Sequence, residues 1–459
     1  MPTRFDAIVV GTGQAGPALA ARFAGKGMKV AVIERDKFGG TCVNDGCTPT
    51  KTMVASAYAA RLAQRAAEYG VTLAGKPAVD MKRVKARKDQ VVANSSGGVE
   101  KWMRGLKGTT VLQGHARFAG PQSVEVNGEL LEAEKIFLDV GGRPLVPKMK
   151  GIESVPYLTN QSLMDVDFVP EHLIVVGGSY IGLEFGQMFR RFGSRVTIVE
   201  MTPRLIGRED EDVSQAIREI LEAEGIDVRT GAECLSVQKE SSGVSIGVDC
   251  KEGEPRVSGT HLLLAVGRVP NTDDLGLERA GIAVDERGYI KVDEALRTTN
   301  PNVWALGDCN GKGAFTHTAY NDYEIVADNL LAGAGRKWTD RVGVYALYTD
   351  PPLGRIGLSE KEIRNQGIKA LVGKRPMTRV ARAVEKGETK GFLKVHVEEG
   401  SERILGAALL GTGCDEAVQS LVDAVYARTP IGEFQRHVRI HPTVAELLPT
   451  TLESLKPLG

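Results

Sequence analysis

Gly39-Gly-Thr-Cys42-Val-Asn-Asp-Gly-Cys47-Thr-Pro-Thr-Lys51 places two cysteines five residues apart. Such a pair is a redox or metal candidate. The species that attacks a disulfide is the thiolate, so the chemistry needs a proton acceptor beside it. On a regular helix five residues advance the chain by ~7.5 Å. A disulfide needs Cα atoms roughly 4.4–6.8 Å apart, so Cys42 and Cys47 can bridge only across a distorted turn, which Gly46 permits. Two buried free cysteines are the bland alternative. A zinc site is disfavoured, because no second Cys/His pair has ligand spacing. Cys234, Cys250, Cys309 and Cys414 are scattered and are read as inert packing. Six cysteines in 459 residues are too few for a disulfide scaffold.

A proton acceptor stands near the other end, in His441-Pro-Thr-Val-Ala-Glu446. Pro442 suits the first position of a helix over residues 443–455, and Thr443-x-x-Glu446 has the form of a capping box. The same residues allow Glu446 to orient His441 as a general base for a thiol.

Two repeated units must position these groups. Asp6-Ala-Ile-Val-Val10 runs into Gly11-Thr-Gly13-Gln14-Ala15-Gly16, then an Ala-rich helical stretch to Gly27, then Lys29-Val-Ala-Val-Ile-Glu34. The pattern recurs as His172-Leu-Ile-Val-Val176, Gly177-Gly-Ser179-Tyr180-Ile181-Gly182, a helix to Phe192, and Arg195-Val-Thr-Ile-Val-Glu200. The interval from first glycine to closing acid is the same in both. Continuous β-branched runs suit a parallel sheet covered on both faces. Gly-x-Gly-x-x-Gly after a strand and before a helix lets a pyrophosphate approach the positive helix end. Glu34 can accept from a ribose diol. In the second unit Ser179 replaces the middle glycine. Glu200 there disfavours a 2′-phosphate and points to NADH over NADPH, a preference that Arg204 could blunt.

At about 150 residues per domain the length suggests roughly three domains. Lys plus Arg and Asp plus Glu both number 58, which removes the basic field of a nucleic-acid or anionic-membrane binder. Hydrophobic residues at 42% and charged ones at 25% argue against wholesale disorder. No run approaches the ~20 apolar residues that span a bilayer. The N-terminus enters a strand at once, with no room read for a signal peptide, so a cytoplasmic location is expected. Further strand-like runs end in glycine turns at Gly141-Gly142-Arg-Pro144, Val266-Gly267-Arg-Val-Pro270 and Leu306-Gly-Asp308. From about Tyr345 the pattern becomes α+β, with helices expected at 415–428 and 443–455.

With these words in this order, the sequence resembles the FAD-dependent pyridine nucleotide–disulfide oxidoreductases over essentially the whole chain. The resemblance rests on Gly-Gly-Thr-Cys42-Val-Asn-Asp-Gly-Cys47, Gly177-Gly-Ser-Tyr-Ile-Gly-Leu-Glu184, Ala305-Leu-Gly-Asp308 and His441-Pro-Thr-Val-Ala-Glu446. It implies an α/β fold with two Rossmann-like dinucleotide-binding domains and a C-terminal α+β dimerisation domain. The implied boundaries are 1–147 and 266–340 for FAD, 148–265 for NAD(P), and 341–459 for the interface. FAD would lie on the first unit, against Gly11, Gly13, Gln14, Ala15, Gly16, Glu34, Gly40, Thr41 and Gly142, with Asp308 on its ribityl chain. NAD(H), more than NADP(H), would lie on Gly177, Ser179, Ile181, Gly182, Glu200 and Gly267, with Tyr180 as a lid over the flavin. Lys51 and Glu184 look like the ion pair beside the flavin. Thr318 and Ala319 would open a helix over 321–331 whose dipole stabilises negative charge on the reduced ring.

The resemblance also implies the catalytic roles. Cys47 would face the flavin and Cys42 would exchange with substrate. His441 of a second subunit, with Glu446, would manage the proton, which makes the working unit a homodimer with a shared site. Electrons would pass from NADH through FAD to a Cys42–Cys47 disulfide and on to a small disulfide, dithiol or thiol-bound metal.

The wording Cys-Thr-Pro-Thr-Lys and Phe315-Thr-His-Thr-Ala-Tyr320 looks closest to mercuric-reductase-like members. A true mercuric reductase carries a cysteine pair near its C-terminus, and no cysteine follows Cys414 here, so weak Hg(II) turnover is expected. Dihydrolipoamide oxidation, Cu(II) or other metal-ion reduction, and action on a partner protein's disulfide are the remaining readings.

Overall fold

The computed structural model describes residues 2–249 and 255–459, so Cys250 lies outside the described residues. Of the five sheets among the described residues, three organise the chain. In the first, Thr3–Val10 lies parallel between Val30–Glu34 and Glu129–Leu138, with Thr109–Gln113 outside Val30–Glu34. Val303–Ala305 returns from far down the chain to pair, also parallel, with Glu129–Leu138. An antiparallel ribbon, Arg117–Gly120 and Ser123–Val126, closes one edge. Val30–Glu34 is buried at every position, as its uninterrupted apolar run requires.

The second repeat forms a separate parallel sheet, ordered Asp227–Thr230, Arg195–Glu200, His172–Val176, His261–Leu264. The C-terminal region builds a six-stranded antiparallel sheet around Phe392–Glu398 and Ile404–Leu410. Among the described residues no helix is long and apolar enough to cross a membrane.

Packing explains how the site is held. The helix Gly16–Ala24 buries Pro17, Leu19, Ala20 and Phe23 on the first sheet, where Phe23 meets Phe137 at 5.1 Å between centroids and Phe137 stacks on Trp304 at 5.2 Å. Burial of each such ring is worth about 1.5–3 kcal/mol. The helix Cys47–Gln64 buries Met53 and Ala57 in a cluster with Leu183 and Phe185 of the helix Tyr180–Phe192. That contact pins the cysteines of the first unit against the second. A buried ionic network joins the second unit to the C-terminal sheet. Arg355 donates to Asp210 at 3.0 Å, and Lys394 reaches Asp210 and Glu360 at 3.0 and 2.7 Å.

Three helix limits differ from the sequence reading. The late helix begins at Thr316, not 321, because Thr318 Oγ1 bonds the Phe315 backbone and closes the first turn early. Residues 415–428 form two helices, Cys414–Ala417 and Gln419–Tyr426. The expected helix over 443–455 is only Leu447–Thr451, followed by a 3₁₀ turn over Leu452–Ser454. Pro442 is therefore not at a helix start. The capping-box bonds do form, from Thr443 N–H to Glu446 Oε1 and from Glu446 N–H to Thr443 Oγ1, both at 3.2 Å. They close a turn ahead of the helix, because Thr443 Oγ1 also donates back to the Ile440 carbonyl at 2.8 Å.

Candidate active site

A cavity of about 900 Å³ runs from the first glycine turn to the cysteine pair. Gly11 has φ +102°, and a Cβ there would lie 2.2 Å from the Asp139 carbonyl oxygen, so no side chain fits this turn. Gly40, at φ +59°, would bring a Cβ within 2.8 Å of Gly13 Cα, so the cysteine segment packs directly on the turn. Gln14 Nε2 donates to the Gly39 carbonyl at 3.1 Å and ties the two together. Glu34 Oε2 accepts from Thr12 N–H and Oγ1, at 2.9 and 2.6 Å, which fixes the acid at the strand end.

The short helix Gly40–Asn44 ends before Gly46, and a new helix starts at Cys47. The break is the distorted turn that the spacing demanded. Both cysteines are free thiols in this structure, with Cys42 half-buried and Cys47 exposed. Each thiol acts on the other, which drives the two acidities apart. The neighbouring Cys47 and burial push Cys42 up, whereas Cys47 is lowered to about 6. The neighbouring Cys42 is its largest cause, and Thr316 and the Lys51 charge add to it. Thr316 Oγ1 lies 3.2 Å from Cys47 Sγ. Cys47 also occupies the first turn of an 18-residue helix, whose positive end favours a thiolate.

Lys51 Nζ donates to Glu184 Oε2 at 2.7 Å, and Glu184 Oε1 accepts from Tyr348 N–H at 2.9 Å. The lysine lies over the Tyr348 ring, 4.5 Å from its centroid. This ion pair joins the cysteine helix to the second unit inside the cavity.

The chain belongs to the pyridine nucleotide–disulphide oxidoreductase family. The family's model matches residues 5–322, and its dimerisation domain matches residues 344–452. The chain is 33% identical to a dihydrolipoyl dehydrogenase of Thermus scotoductus over 453 residues, covering 98% of this chain and 97% of that one. It is 33% identical to a mercuric reductase of Streptomyces lividans over 451 residues, covering 97% and 95%. A solved structure of the HOCl-induced flavoprotein disulfide reductase RclA from Escherichia coli superposes with a TM-score of 0.89 at 34% identity, over 97% of this chain and 98% of that one. The Cu(II) complex of RclA superposes with a TM-score of 0.90 at 33% identity, over 98% and 99%. The α/β architecture and the FAD-dependent oxidoreductase class follow from this membership.

The residues present fit that cofactor. Gly11, Gly13, Gln14, Glu34, Gly40, Thr41, Gly142, Asp308 and Ala319 all line the one cavity with Lys51 and both cysteines. Ala15 and Gly16 lie behind the turn, their N–H groups donating to Asp139. Thr318 is turned into its own helix start, where it bonds Phe315. Asp308 lies 3.5 Å from Arg268, and burial raises its carboxyl.

The second glycine turn reaches the cavity only through Tyr180 and Ile181. Gly177, Ser179, Gly182, Glu200 and Gly267 lie outside its lining. Glu200 accepts from Gly178 N–H at 2.6 Å and Thr202 N–H at 2.8 Å. Tyr180 packs edge-on to Phe315 and Tyr345, and both tyrosine hydroxyls meet Glu209. Burial, and the charge of Glu209 after it, push the Tyr180 hydroxyl up.

His441 Nδ1 lies 3.0 Å from Glu446 Oε1, the pairing expected of an oriented base. Neither residue lines the cavity of its own chain. His441 is 74% exposed, beside Val438 and Ile440 at 100% and 79%.

Sequence reasoning missed Thr316, Arg268, Asp139 and the Glu209–Tyr345 pair. Thr316 stands two residues before Thr318, already singled out, but nothing in the local sequence brings it to Cys47.

Proposed function

We propose that this chain is an NAD(P)H-dependent flavoprotein disulfide reductase acting on a small disulfide. The observation that carries the reading is the placement of Cys42 and Cys47 in the one cavity that also holds the first glycine turn and the Lys51–Glu184 pair. Net, NADH and a proton reduce one disulfide to two thiols. A bound FAD would relay the electron pair from nicotinamide to sulfur. Glycines 11, 13 and 40 give the dinucleotide room, and Lys51 with Glu184 sets the charge beside the cysteines. Cys47 holds the thiolate, assisted by Thr316, Lys51 and the helix end. Cys42 is the exchanging thiol, because it is the partner that keeps its proton and so needs a base before it can attack. Opening the substrate disulfide frees one thiol, and closing the Cys42–Cys47 bond frees the other.

The proton acceptor is His441 of a second copy, oriented by Glu446. The pair is fully built and does not line the cavity that holds its own chain's cysteines, and it lies on the segment matched by the dimerisation domain. NADH is the preferred donor, because Glu200 keeps a carboxylate at the end of Arg195–Glu200, where a 2′-phosphate would meet it.

Steady-state assays pairing NADH and NADPH with lipoamide, glutathione disulfide, Hg(II) and Cu(II) test the reading. The expected result is saturable turnover of a disulfide with NADH preferred and slow Hg(II) reduction. Fast saturable Hg(II) turnover in excess thiol, with no disulfide turned over, would overturn it. Cu(II) reduction is the second reading, favoured by the likeness to the Cu(II) complex of RclA. Dihydrolipoamide oxidation is the same chemistry in reverse, and the lipoamide arm reports it.

A further inference from the structure

Asp139 follows directly on the strand Glu129–Leu138, whose last three residues are buried, and its side chain enters the first glycine turn. Its Oδ2 accepts from Gly16 N–H at 2.7 Å and Ala15 N–H at 3.2 Å, so the carboxyl already occupies the start of the helix Gly16–Ala24. Among the described residues Oδ1 has no such bond. A Cβ built on Gly13 would lie 3.1 Å from Oδ1, and one built on Gly307 would lie 3.3 Å away. The side chain borders the main cavity at this point, beside the turn that receives the cofactor.

The groups facing Asp139 share its sign. Glu34 approaches from the end of Val30–Glu34 and Asp308 from the turn after Val303–Ala305, with the Cys309 thiol beside it. Arg268 sits against Asp308, and Arg341 against Asp322 of the late helix, so neither cation is spent on Asp139. Burial is the largest influence raising its carboxyl, followed by those two acids against the opposing Gly16 and Ala15 bonds. A dinucleotide's pyrophosphate seeks the same helix end and brings further negative charge. A carboxylate there repels it, whereas a carboxylic acid does not and offers an O–H to donate.

We propose that Asp139 is a positioning residue for FAD that works protonated, so that cofactor binding takes up a proton at this carboxyl and cofactor release at high pH gives it back. The inference rests on FAD occupying the first glycine turn. By linkage, affinity falls as pH rises from the free-state to the bound-state pKa of Asp139.

The test measures FAD dissociation from the holoenzyme by recovery of flavin fluorescence on dilution, across pH about 6 to 9, for wild type, Asp139→Asn and Asp139→Ala. The wild-type Kd is expected to climb by up to about tenfold per pH unit within the linkage window. Asp139→Asn, which keeps the shape and a donor, holds FAD with a flat profile. Asp139→Ala is also flat but weaker, which keeps the test open should the asparagine variant fail to fold. A flat wild-type profile, or variants that follow the wild-type slope, would overturn the role of Asp139. Protein that neither carries nor takes up flavin would instead overturn the FAD reading beneath it.

Discussion

Cys47 carries the sharpest residue-scale expectation. In the dithiol form its proton is lost with a midpoint near 6, against 9.0 for an ordinary thiol, because Cys42, Thr316 and Lys51 all stabilise the thiolate. The lowered value adds stability to the dithiol form that is fully present above the ordinary thiol pKa and is lost as pH falls through about 6. Thiolate absorbance against pH checks this. Lys51→Met should move the midpoint up by on the order of one unit, and Cys47→Ser should remove the low-pH step altogether. The cysteine pair and its need for a break at Gly46 were legible from spacing alone. Thr316 was not, because nothing in the local sequence says that a helix starting far along the chain returns to Cys47. Asp139 was hidden for the same reason. Its bonds to Ala15 and Gly16 exist only once Glu129–Leu138 pairs with Thr3–Val10.

At the scale of elements, both glycine turns and their flanking strands were readable because an uninterrupted apolar run admits few alternatives to a buried parallel strand. Gly11→Ala tests the first turn. Its Cβ would overlap the Asp139 carbonyl at 2.2 Å in a backbone region costing about 1–3 kcal/mol for a residue with a side chain. The expected outcome is a lower Tm and a reduced flavin-to-protein absorbance ratio in the purified variant. The segment 441–446 shows where reading by element fails. A capping box and an oriented histidine are alternative readings of Thr443 and Glu446 in the sequence, yet Glu446 meets both Thr443 N–H and His441. The two readings coexist because a carboxylate has several lone pairs. The helix was misplaced because those bonds close a turn, not a helical first turn. Glu446→Gln should lower kcat for disulfide turnover by on the order of tenfold, and His441→Ala by about a hundredfold, with flavin content unchanged.

The whole molecule is where one chain stops being enough. Its base faces outward beside two exposed apolar side chains, and its thiols sit in a cavity that the base does not line. A Val438→Asp/Ile440→Asp double variant should shift gel-filtration elution to the single chain. It should also lose disulfide turnover while keeping NADH-dependent bleaching of the flavin. A variant that stays dimeric, or a single chain with full disulfide turnover, would contradict the shared site. The central claim concerns electron capacity, and anaerobic titration of the purified protein with NADH measures it directly. A flavin and a reducible cystine together accept about two equivalents of NADH per chain, and a flavin alone about one. Wild type is predicted to take up the larger amount, and Cys42→Ser and Cys47→Ser the smaller. Equal uptake by all three proteins would contradict the account.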